Sequence, residues 1–146
     1  MAGASALMEA SLAAVAEAGV DIRHAVYARF FGAFPQRTPV FLNPDVSSVR
    51  MTDETVQMLY GLATDEKWVW PLIAELTFTH RNYGPLPARE WDVFVDLVVE
   101  ELGKAAGEVW TPACADAWQK QAARLKAMIA KANAEWPVAM PGAKTA

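Results

Sequence analysis

The sequence predicts an all-α domain. Apolar residues recur at three- and four-residue spacing along most of the chain, and no alternating apolar and polar run is long enough to propose a sheet. The periodic segments are separated by Gly19, Pro35, the run Asn82-Tyr83-Gly84-Pro85-Leu86-Pro87 and Thr111-Pro112, which are helix-ending or helix-starting residues. A length of 146 residues suits one domain with one sizeable core. That domain is expected over residues 1–136, followed by a flexible tail at 137–146 that holds two prolines, a glycine and small residues.

Each element follows from its own residues. A first helix is expected from about Ser5 to Ala18, with Met8, Leu12 and Val15 on one face and Gly19 as its stop. Asp21 is expected to cap a second, which carries Ile22, Val26 and Phe30 on one stripe and Tyr27, Phe31 and Phe34 beside it until Pro35. Between Pro35 and Arg50, prolines, Asn43, Asp45 and a serine pair read as a loop with one short helical turn. Helix resumes near Thr52, with Val56, Leu59, Tyr60 and Ala63 inward, and breaks at Thr64-Asp65-Glu66-Lys67. A short helix spans Trp68 to His80, and Ile73, Leu76 and His80, at i, i+3 and i+7, put the histidine on its apolar side. A long helix from Ala88 to Lys104 buries Trp91, Val95, Val98 and Leu102. Thr111-Pro112 then starts a last helix, which turns Trp118, Ala122, Leu125 and Ile129 inward and ends near Glu135.

Composition excludes several function classes. With 13 Lys+Arg against 17 Asp+Glu, a net charge of −4 and no basic run, the chain lacks the footprint of a nucleic-acid binder. The most apolar segments contain Arg29, Glu75 or Asp96 and fall short of the roughly 18 apolar residues of a membrane span, so no membrane partner is expected. The N-terminal segment contains Glu9 and has no Lys or Arg before Arg23, unlike a secretory signal, which makes a cytoplasmic location the expectation. Cys114 stands alone, and one thiol with two histidines builds neither an internal disulfide nor a structural zinc site. It reads as a small buried residue, and the six tryptophans read mainly as packing surface.

His80 is the residue that demands chemistry. An imidazole turned toward a core needs a hydrogen bond or a metal. No cluster of His, Asp or Glu accompanies it, so a metal bound here must bring most of its own ligands. Haem does so, because the porphyrin supplies four nitrogens and the protein adds one axial imidazole. His24, one turn before Tyr27, reads as an exposed helix residue.

The order of these residues resembles the globin family, in particular bacterial single-domain haemoglobins and the globin half of flavohaemoglobins. The resemblance starts at Gly19-Val20-Asp21-Ile22 with Tyr27, Phe31, Pro35 and Phe41 at the spacing of the family's B helix, C turn and CD region. It continues with Pro71 nine residues before His80 and with Asp116-Ala117-Trp118 in the last helix, covering about residues 8 to 135. It implies a globin fold of six to eight helices around haem b, with His80 as the proximal iron ligand. Phe41 would pack on the haem, and Tyr27 would donate a hydrogen bond to a distal ligand. A core tyrosine bonded to a backbone carbonyl is the alternative for Tyr27.

The resemblance places the distal E-helix position at Thr52, with Val56 facing the iron; Met51, Thr55 and Gln57 are alternatives. The flavohaemoglobin Tyr and Glu near the proximal histidine are replaced here by Glu90, beside Trp91, and Asn133. Arg81, Tyr83 and Arg89 are candidates for the haem propionates. The implied activity is reversible binding or transport of O2, CO or NO, with NO dioxygenation if a separate reductase returns the iron to the ferrous state. A haem-based gas sensor or a haem-free interaction module on the same fold is the alternative.

Overall fold

A computed structural model of the chain describes residues 3–41, 43–84 and 86–135. These residues are helical and contain no strand. The six α-helices are α1 (Ala4–Ala18), α2 (Arg23–Ala33), α3 (Pro44–Ala63), α4 (Val69–His80), α5 (Ala88–Ala106) and α6 (Pro112–Glu135). Short 3-10 turns cover Pro35–Val40, Arg81–Tyr83 and Gly107–Val109. The tail expected at 137–146 lies outside the described residues, and no helix among them is long and apolar enough to cross a membrane.

Local signals account for most helix ends. Gly19 closes α1 in the left-handed conformation (φ 66°), with its amide on the Ala16 carbonyl. Asp21 accepts the Arg23 amide at 3.1 Å as α2 begins. At the start of α6 the Thr111 hydroxyl accepts the Cys114 amide at 3.2 Å, and Pro112 stands where its missing N–H is not needed.

The start of α3 corrects the loop expected from Pro35 to Arg50. Pro35–Val40 forms a 3-10 turn, and α3 begins at Pro44, eight residues before Thr52. The cause is a start signal of the same kind as Thr111-Pro112. Asn43 accepts the Val46 amide through its side chain at 3.4 Å, proline follows in the first turn, and Asp45 adds negative charge near the positive helix end.

Helices α5 and α6 form the centre. α1 packs across both, α2 crosses α5, and α3 and α4 each lie on α6. Trp118 is fully buried where α1 meets α6, and its indole N–H donates to the Ser11 hydroxyl at 2.8 Å, which donates to the Met8 carbonyl at 2.6 Å. Cys114 is buried beside them, as its sequence context suggested. Trp110 stacks near Trp118 with centroids 6.2 Å apart and lies on Gly103, where an added Cβ would fall 2.8 Å from the indole. Although α3 and α4 are consecutive and share α6, they make few contacts with each other. Among the described residues, the space between them forms a cavity.

Candidate functional site

The cavity has a volume of about 600 Å³, within the range of about 300–1,000 Å³ usual for small-molecule and cofactor sites. One wall is α3, through Met51, Thr55 and Met58, and the other is α4, through Ile73, Leu76 and His80. The floor comes from Trp91, Phe94 and Val95 of α5 with Leu125 and Ile129 of α6, and Phe41 closes one end. Its lining is mainly apolar.

His80 stands at the C-terminal end of α4, half-buried, on the cavity wall. Its Nδ1 lies 2.6 Å from the Leu76 carbonyl oxygen. A carbonyl only accepts, so Nδ1 carries the proton and the neutral ring keeps its lone pair on Nε2. The ring rests against Trp91, centroids 4.9 Å apart, and meets Tyr83 edge-on at 6.2 Å. A backbone bond and an indole face thus fix the orientation of the one imidazole on the wall. Trp91 Nε1 is buried and has no hydrogen-bond partner among the described residues.

Phe41 lines the cavity and belongs to an aromatic cluster that continues behind it. Its ring lies 5.6 Å from Tyr27 and 5.2 Å from Phe31, while Phe30 and Phe94 pack edge-on at 5.6 Å. Tyr27 sits one layer back from the cavity, only 5 % exposed. Its hydroxyl lies 3.0 Å from the Met51 sulfur and 3.3 Å from the Ser47 carbonyl. One proton cannot serve both fully; sulfur is the nearer acceptor despite its larger radius. The backbone carbonyl expected for a core tyrosine is thus one of two partners within reach, and burial pushes the phenol above its ordinary pKa.

Thr52 and Val56 are not brought into this cavity. The cavity face of α3 is Met51, Thr55 and Met58, at i, i+4 and i+7, and Thr52 is turned about 100° away. Thr52 and Val56, with Gln57, instead line a second depression beside Leu12 and Ile22. Of the alternatives for the distal position, Met51 and Thr55 face the cavity and Gln57 does not. The missed signal was Asn43-Pro44, which fixes the start of α3.

Two ion pairs stand at the site. Arg37, from the 3-10 turn, makes a two-pronged contact with Glu90 of α5, Nε–Oε1 at 2.5 Å and Nη2–Oε2 at 2.7 Å. Glu90 is only 6 % exposed, and the matched guanidinium allows a carboxylate to remain there. Arg50 pairs with Glu54 at 3.0 Å, and both residues, with Glu75, Asn82 and Tyr83, also line the cavity. Among the propionate candidates only Tyr83 lines it; Arg89 lies over the Phe34 ring at 5.4 Å, and Arg81 is half-buried. His24 is exposed. The described residues contain no group of three or more His, Cys, Asp or Glu able to hold a metal ion by themselves. No protein-family model, curated protein or solved structure matches the chain.

Proposed function

We propose that the chain is a globin, a haem b protein that reversibly binds O2, CO or NO, with His80 as its axial ligand. The observation that carries this reading is the state of His80. Its Nδ1–H is committed to the Leu76 carbonyl, and a lone pair is left on a residue that lines a large apolar cavity.

The residues present fit such a group on three counts. The single imidazole suits a metal that brings its equatorial ligands with it. The cavity walls are apolar, and Asn82 and Tyr83 offer donors for the carboxylates that haem carries. The buried, unpartnered Trp91 N–H offers another beside His80. Arg37 is already matched to Glu90, so it contributes to closing the site rather than to holding an anion.

When bound, haem would supply an iron able to take up a diatomic gas. The chain's own residues do the rest. The Leu76 carbonyl makes the Nε2 lone pair more basic, Trp91 fixes the ring, and Phe41 and Phe94 keep water from the apolar wall. The Tyr27 phenol, held protonated by burial, is a hydrogen-bond donor one layer behind Met51. Turnover such as NO dioxygenation would draw electrons from a separate reductase.

The test is titration of the purified chain with haem. A Soret band saturating at one equivalent is expected. His80→Ala should abolish stoichiometric uptake while His24→Ala leaves it intact. Normal uptake and a normal ferrous-CO spectrum in His80→Ala would overturn the assignment, and a chain that takes up no haem would point to the haem-free interaction module.

A further inference from the structure

Resting on the haem reading above, we propose that Met51 is a second ligand to the iron, so that in a haem-loaded chain without a gas the Met51 thioether would hold the metal together with the His80 imidazole. The two residues stand on opposite walls of one cavity, Met51 on α3 and His80 on α4. Few groups on the α3 wall can donate an electron pair to a metal. Arg50 has no lone pair to give, and Glu54 is matched to it at 3.0 Å. The Ser47 and Thr55 hydroxyls donate to the Asn43 and Met51 carbonyls at 3.0 and 2.7 Å, and neutral alcohols are weak ligands for iron. Two thioethers remain, Met51 and Met58.

The structure distinguishes them. Met58 is 4 % exposed and embedded in the wall, whereas Met51 is half-buried and open to the cavity. A methionine is unbranched with three rotatable bonds and is hard to hold in place. The Met51 sulfur is held by the Tyr27 hydroxyl at 3.0 Å. A thioether has two lone pairs, so the phenol proton engages one and leaves the other for a metal. Donation to the sulfur also draws density from it and makes it a weaker ligand, which a gas can replace. A thioether stabilises ferrous over ferric iron, so the arrangement favours the oxidation state that binds O2 and CO.

The experiment uses the full chain reconstituted with haem. Wild type is expected to show the long-wavelength sulfur-to-iron band in the ferric form and a strongly upfield-shifted methionine methyl resonance in the ferrous form. Met51→Leu should lose both while retaining one haem per chain. If the sulfur occupies the iron about nine-tenths of the time, its loss also raises apparent CO affinity about tenfold. Met58→Leu should leave the spectra unchanged.

Signals absent from a haem-loaded wild type, signals that survive Met51→Leu, or signals lost only in Met58→Leu would each overturn the assignment while leaving the His80 site intact. A chain that binds no haem would overturn the site and this ligand together.

Discussion

Tyr27 holds one proton between a soft acceptor and a hard one, the Met51 sulfur at 3.0 Å and the Ser47 carbonyl at 3.3 Å. Burial pushes its phenol above the usual value near 10, so the hydroxyl remains protonated through neutral and mildly alkaline solution. The sign follows: the folded state resists ionisation, so any stability tied to the neutral phenol is lost only as the pH rises past the unfolded value. Bound O2 carries partial negative charge and gains from a donor, whereas CO gains little. Tyr27→Phe in the haem-loaded chain is therefore expected to speed O2 release by about tenfold, from roughly 1.4 kcal/mol of hydrogen bonding, and to change CO release much less. Stopped-flow measurement of both rates checks this; equal O2 rates would leave Tyr27 as a packing residue with a bonded hydroxyl.

The register of a single helix decided which residues reach the cavity. His80 and Phe41 were legible in the sequence, because apolar spacing puts His80 on the inner side of α4 and an aromatic after the Pro35–Val40 turn has the cluster of α2 to meet. The α3 wall of the cavity was not. A proline-rich stretch hid the start of α3, and the resemblance's offset from His80 pointed to Thr52 and Val56, whereas the packing of α3 turns Met51 and Thr55 to the cavity. The Arg37–Glu90 pair joins residues 53 apart, and no local pattern announces a contact that only the packing of a turn on α5 creates. Asn43 caps the start of this helix. Its side-chain bond is long at 3.4 Å, which places Asn43→Ala at the lower end of cap losses, about 0.5–1 kcal/mol. The denaturant midpoint should fall with an unchanged slope, and amide exchange should quicken first at residues 46–48.

Across the molecule, the all-α class was legible because every long segment repeats at helical period, but the close approaches between helices were not. Gly103 shows why: it is an ordinary helix residue in sequence, yet the Trp110 indole lies where its Cβ would be, 2.8 Å away. Gly103→Ala gains helix propensity of up to about 1 kcal/mol but must displace a ring stacked near Trp118. A net loss of about 1–2 kcal/mol is expected, read as a melting temperature lower by roughly 3–6 °C with a shifted tryptophan emission. Gly32, where nothing stands within 4 Å of an added Cβ, is the control and should not melt lower when changed to alanine. The cleft between α3 and α4 has the widest consequence. Each helix is fastened to α6 and hardly to its neighbour, so their separation has little stiffness of its own. An occupant touching both walls binds the folded chain and not the unfolded one, which adds about 2.7 kcal/mol at a free concentration one hundred times its Kd. An occupant of this cleft would therefore make stability a function of its supply, and a chain left empty would be the more readily unfolded and degraded.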